Sequence, residues 1–177
     1  MPADEKIIQS VKETFTREEI PAKTLLVKEG ALAKRLFYIE SGCCRCWFIS
    51  SDGKEVTMNF GFDGNFVSSM ESIIADAPSW YNVETLEPCV VYAIPLSKFK
   101  ELKAASKDFQ DVYHGYIEQR LLHYQQLFIS RIKDNPEKRY KELLAEHPEI
   151  IRRIPQHYIA SFLGITSVSL SRIRNRA

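Results

Sequence analysis

The chain has 177 residues, 45% hydrophobic and 27% charged, a composition and length that suit a soluble globular protein with a sizeable core. No run of about 18 consecutive apolar residues occurs and the N-terminus MPADEKIIQSVKETF is charged from its fourth residue, so neither a membrane span nor a secretory signal is expected, and the sequence reads as cytoplasmic with no membrane partner. The net charge of +1 hides an asymmetry: residues 1–130 carry 14 Lys and Arg against 18 Asp and Glu, residues 131–177 carry 10 against 5, and from Ile151 onward there are five arginines and no acid, a pattern that points to a polyanion at the C-terminal end.

Ile7, Ile8, Val11 and Phe15 recur at helical spacing and predict a short amphipathic helix over 4–15. From Ile20 to Pro95 short runs rich in β-branched and aromatic residues (TLLVKEG, RLFYIESG, CCRCWFISSDGKEVTMNF, WYNVETLE, CVVYAIP) alternate with glycines, the signature of a compact β-sandwich or barrel. Ser51-Asp52-Gly53-Lys54 predicts a hairpin turn. Cys43, Cys44 and Cys46 fall in an apparent strand, Cys44 and Cys46 on one face and Cys43 on the other. In a reducing compartment they read as buried structural thiols, with no metal site.

After Pro95 the sequence predicts helix to about Lys133. Ile117, Leu121, Tyr124, Phe128 and Ile132 form one stripe, and Val112, Tyr116 and Leu127 with His123 a neighbouring one. A helix over 106–133 would be roughly 42 Å long at about 1.5 Å per residue. Two apolar stripes need two surfaces, so one is expected on the β domain and the other on the same helix of a second chain. Asp134-Asn135-Pro136 interrupts the helix as a hinge. KRYKELLAEHPEI then predicts a helix with Tyr140, Leu143 and Leu144 inward.

In IPQHYIASFLGITSVSLSRIRNRA, Pro155 suits the first turn of a helix that runs to about Phe162. Gly164 supplies a tight turn, and Thr166 caps a second helix over 167–176. Ile159, Leu163, Ile165, Leu170 and Ile173 can meet in one small core, with Ala160 at the helix crossing, which is the helix-turn-helix pattern. Thr166, Ser167, Val168, Ser169, Ser171, Arg172, Arg174 and Arg176 are left as the candidate DNA-binding set. Small side chains let the backbone approach the groove, serines donate to phosphates or base edges, and arginine grips guanine O6 and N7. His114, His123, His147 and His157 form no HxxxH or HExxH pair, and neither GxSxG nor a P-loop occurs, so an enzyme is not expected.

These residues together resemble the Crp/Fnr family of bacterial transcription regulators: LLVKEGALAKRLFYIESG with the GKE turn is similar to the cyclic-nucleotide-binding β-roll, and IPQHYIASFLGITSVSLSRIR to the family's DNA-reading motif. The resemblance implies an α+β chain with a β-roll sensor domain (a double-stranded β-helix) over 1–105, a long dimerisation helix and hinge over 106–134, and a helix-turn-helix domain over 135–177 with no obvious wing. It implies a homodimer on a palindromic site in double-stranded DNA, with an effector in each β-roll and RNA polymerase as a further partner.

The chain departs from the family in several places. Members that bind cyclic AMP hold it with an Arg-Ser pair, where this chain has Ser68-Ser69 and Ser79-Trp80, so cyclic AMP is not expected to bind in the ordinary way. Another small-molecule effector would sit among Phe66, Ser68, Ser69, Met70, Ser79, Trp80, His123 and Tyr124. No cofactor is expected, since the N-terminal cysteine set of the iron-sulfur members is absent. Val168 stands where the recognition helix usually has an acid, while Arg172 matches the family's guanine-contacting arginine. The alternative reading is a small-molecule-binding adaptor whose C-terminal hairpin makes protein contacts.

Overall fold

A computed structural model describes residues 5–148 and 150–175, and the side chains of all of these but 5–8, 10 and 112. The chain divides into two compact units, Met1–Phe48 with Met58–Tyr116, and Ile49–Thr57 with Ile117–Ala177. This division differs from the one read along the sequence. The distal part of a β-hairpin groups with the C-terminal residues, and the long helix belongs partly to each unit.

In chain order, α1 (Glu5–Thr14) leads into β1 (Thr16–Ile20), β2 (Leu25–Val27), β3 (Arg35–Ser41), β4 (Cys44–Ile49), β5 (Glu55–Gly61), β6 (Phe66–Val67), α2 (Met70–Ala75), β7 (Asn82–Thr85), β8 (Cys89–Pro95) and α3 (Leu96–Ala105), all in the first unit but for Ile49 of β4 and residues 55–57 of β5. The strands form two four-stranded sheets, ordered β1-β8-β3-β6 and β2-β7-β4-β5. Period-two alternation explains how they close. In β8, Cys89, Val91 and Ala93 turn inward against Phe37 and Ile39 of β3, and Val83 of β7 with Cys44 and Cys46 of β4 completes the core from the other sheet. The outer face of the first sheet is covered as well: Leu36, Tyr38 and Ile94 pack with Val11 of α1, Phe15 just after it, Ile73 of α2 and Phe99 of α3.

Helix does not run unbroken from Leu96 to Lys133. Ser106 is extended (φ −128°, ψ 118°) and its hydroxyl accepts from the Phe109 N–H at 3.2 Å, so α3 ends and α4 (Lys107–Lys133) begins on a new cap. Tyr116 of α4 returns to the β domain, its ring edge-on to Phe66 at 5.2 Å. Further along, Leu121, Leu122, Phe128, Ile129 and Ile132 are exposed, a wider apolar face than the one stripe expected. The break after α4 falls where the sequence places it: Asn135 caps α5 (Pro136–Glu146) by accepting from the Lys138 N–H at 2.9 Å, with Pro136 in the first turn. A short α6 (Ile150–Arg153), not anticipated, precedes α7 (Gln156–Leu163) and α8 (Ser167–Arg174). Tyr140, Ile150, Ile154, Ile159, Leu163 and Leu170 form the buried centre of this second unit.

At Gly42 the backbone closely approaches β8. Its φ is +122°, and a Cβ there would lie 2.4 Å from Cys89 Sγ and 2.9 Å from the Cys89 Cα. Gly42→Ala combines a backbone conformation unsuited to L-residues with an overlap that only the β8 backbone can relieve. A loss of about 2–4 kcal/mol in urea denaturation is expected, and unchanged stability would show that β8 can retreat.

Candidate nucleic-acid interface and effector cassette

Three local devices build the helix-turn-helix. Gly164 adopts the left-handed conformation (φ 68°) and its N–H reaches the Ala160 and Ser161 carbonyls, ending α7. Thr166 then caps α8, its hydroxyl accepting from the Ser169 N–H at 3.1 Å. Leu170 is fully buried, and Ile159, Ala160 and Leu163 are each 2% exposed, so α8 rests on α7 through one apolar seam.

That seam decides what α8 presents outward. Thr166, Ser167, Val168, Ser171 and Arg172 are exposed, and Val168, Ser171, Arg172 and Asn175 fall at i, i+3, i+4 and i+7 on one face. Ser169 is half-buried, its hydroxyl 3.0 Å from that of Thr166, so it belongs to the cap as much as to the surface. Arg174 is half-buried on the flank, and Arg176 lies outside the described residues. Asn175 joins this face without having been anticipated. No carboxylate occurs in either helix, so nothing on them opposes a phosphate backbone.

Two arginines fix the carboxyl end of α7. Arg131 Nη2 donates to the Phe162 carbonyl at 3.1 Å and Arg139 Nη2 to the Leu163 carbonyl at 2.7 Å, placing cations where the helix leaves unpaired acceptors. Loss of hydration, and then the charge of Arg139, lowers the pKa of Arg131. A cleft of about 410 Å³ lies here, lined by His123 and Leu127 of α4, Arg139 and Glu142 of α5 and Phe162 of α7. Leu127 therefore serves the second unit rather than the β domain. Burial against this cleft lowers the pKa of His123, with Glu146 opposing it, although the residue keeps an exposed surface.

The hairpin end is held by one serine. Ser161 Oγ of α7 accepts from the Thr57 N–H at 2.9 Å and donates to the Glu55 carbonyl at 3.2 Å, completing the edge of β5 as a neighbouring strand would. Nothing in the sequence marks this residue beyond a small polar side chain on an apolar helix.

The expected effector residues divide between the units. Phe66 lies between the tilted ring of Tyr38 and the edge-on ring of Tyr116. Ser68 donates to the Arg35 carbonyl at 2.7 Å, Ser69 caps α2 and donates to Glu71, and Ser79 donates to the Tyr81 carbonyl at 2.7 Å. Met70 offers its N–H to the Tyr81 hydroxyl at 3.3 Å, and that hydroxyl donates to the Ser68 carbonyl at 2.8 Å. Each of these serine hydroxyls is thus engaged within the protein, and Tyr81, which as an aromatic in a strand run reads only as core, ties the segment together. Trp80 is 73% exposed, so its indole lies on the surface rather than in an enclosed pocket. The nearby Arg35 sends its guanidinium to Glu18. His123 and Tyr124 belong to the second unit, where Tyr124 accepts from Arg120.

Cys43 and Cys46 stand at C-x-x-C spacing, but all four cysteines are buried and none is disulfide-bonded. A hydrogen bond with Cys89, reinforced by burial, raises the Cys44 thiol well above its usual pKa, the opposite of what a metal ligand or reactive thiolate requires. Among the described residues no group of three or more His, Cys, Asp or Glu could hold a metal ion, and no helix is long and apolar enough to cross a membrane.

Residues 17–106 match the cyclic nucleotide-binding domain family, and the chain belongs to it. Over most of its length its fold is similar to that of solved regulators. It is similar to the c-di-GMP-responsive global regulator CLP of Xanthomonas campestris (17% identity, TM-score 0.76, covering 98% of this chain and 91% of that one). It is likewise similar to FixK2 of Bradyrhizobium japonicum (14%, 0.79, covering 92% and 84%). A regulator described as belonging to the Crp/Fnr family in Eubacterium rectale also matches (17%, 0.74, covering 98% and 82%). No curated protein matches the sequence.

Ser161→Ala will leave the Thr57 N–H without an acceptor at a residue with no exposed surface. The expected loss is about 1–3 kcal/mol, accompanied by faster hydrogen exchange at the Thr57 amide. Unchanged exchange there would show that the serine does not hold the hairpin.

Proposed function

We propose that the chain is a homodimeric, sequence-specific DNA-binding transcription regulator of the Crp/Fnr type rather than an enzyme. The observation that carries this reading is the seating of α8: with Leu170 buried, Ser167, Val168, Ser171 and Arg172 face outward together on a helix without acids. Such a helix fits the major groove, with Thr166 and Ser167 at its positive end suited to a phosphate and Arg172 to a guanine edge. The exposed apolar face of α4 supports dimerisation, since Leu121, Phe128 and Ile132 would be costly to leave in water. Two copies of α8 related by a twofold axis would read a palindromic operator in successive major grooves.

The β-roll reading is narrower. With the serine hydroxyls of the cassette bonded to protein and Arg35 paired to Glu18, we propose that it does not take cyclic AMP through an arginine clamp. Any effector would have to displace internal hydrogen bonds or use another surface. RNA polymerase is the further partner this reading suggests.

Titration of the full chain against duplex DNA tests the function directly. Affinity is expected to fall on the order of 1,000-fold or more between about 50 and 200 mM salt if six or more phosphates are contacted. Arg172→Ala is expected to lose about 1–3 kcal/mol of discrimination at one base pair of each half-site while keeping non-specific affinity. Salt-insensitive binding, or an unchanged sequence preference in Arg172→Ala, would contradict the assignment.

A further inference from the structure

We propose that Val168 is a specificity-determining residue that reads the C5-methyl group of a thymine, an inference that rests on the reading of α8 as a major-groove helix. Val168 is 62% exposed, and among the described residues from α5 to α8 the only other large apolar side chain left exposed is Ile151, at 37%. Every large aliphatic residue there but these two is drawn at least partly into the packing, so the isopropyl group on the second residue of α8 is the apolar surface this helix offers outward.

The side chain has no hydrogen-bonding capacity, and the apolar feature on a major-groove floor is the thymine methyl. Valine is also stiff in a helix, where one χ1 rotamer dominates, so it offers its two methyl groups in a fixed direction. It serves the helix poorly by comparison with alanine or leucine, which leaves the surface it presents as the reason for its place. Cytosine at the same position would turn its amino group toward a side chain that holds no acceptor and would lack the methyl contact, and neither α7 nor α8 carries a carboxylate to compensate; the same residue thereby favours thymine over cytosine.

The spacing on α8 fixes where the thymine lies. Val168 and Arg172 are four residues apart on one face, about 6 Å along the axis, which matches roughly two base-pair steps of about 3.4 Å each. The thymine therefore falls within about two base pairs of the guanine held by Arg172.

The test begins with a duplex selected by the full chain from a random library. Each thymine of a half-site is then replaced in turn by uracil, which removes only the C5 methyl, and affinity is followed by fluorescence anisotropy. One position within two base pairs of the Arg172-dependent guanine is expected to cost about fourfold in one half-site and about fifteenfold when both half-sites are changed. Val168→Ser, at an exposed site and with its fold checked by circular dichroism, is expected to bind the thymine and uracil duplexes equally. Specific binding by the wild type with no methyl dependence at any position overturns this inference alone, as does a penalty that persists in Val168→Ser. Failure to enrich or bind any duplex overturns the DNA-binding reading, and this inference with it.

Discussion

The second unit depends on how the carboxyl end of α7 is held. That end meets three elements: Arg131 of α4 and Arg139 of α5 cap its last carbonyls, and Gly164 turns the chain so that Leu170 can reach the pocket made by Ile159, Ala160 and Leu163. Without the left-handed turn the seam could not close. Without the guanidinium groups the last carbonyls of α7 would lack these partners beside a half-polar cleft, at the junction that sets the direction of α8. In the proposed function this is the junction that matters most, because the residues meant for base edges are placed by backbone geometry rather than by contacts of their own.

The β domain shows the opposite economy. Both faces of the β1-β8-β3-β6 sheet are covered, and the polar groups of the segment between β6 and α2 are satisfied from within by Tyr81, Ser69 and the Arg35 carbonyl. A segment with its hydrogen bonds already made has less to gain from an anionic ligand than one with open donors. In the proposed reading this separates the family membership of the domain from the ligand that its family name suggests. The buried thiols agree with a structural role for this core, since Cys44 is held in its protonated form.

What could be read along the chain was what short-range chemistry encodes. Gly164, the Thr166 cap, Asn135-Pro136 and the spacing of Ile159, Leu163 and Leu170 all act within a turn or two, so the pairing of α7 with α8 and the break before α5 were legible. β1 was not, because TREEI is an edge strand whose polar residues face outward and show no hydrophobic alternation. α2 was hidden by its six-residue length, and the break at Ser106 by the helix-forming residues on either side. Trp80 reads as a pocket residue through its alignment with the family's Arg-Ser pair, yet its position leaves the indole in solvent. The Ser161 contacts reach residues 104 and 106 positions away, and no local pattern foretells such a pairing.

The central claim, a twofold reader of DNA built on α4 and α8, is tested most directly by the stoichiometry and symmetry of its site. The full chain would be used to select duplexes from a random pool, and the complex with the best duplex weighed by native mass spectrometry or sedimentation. The account predicts two chains on one duplex, bound to an inverted repeat whose half-sites lie about 10–10.5 base pairs apart, centre to centre. A single chain on an asymmetric site would contradict it.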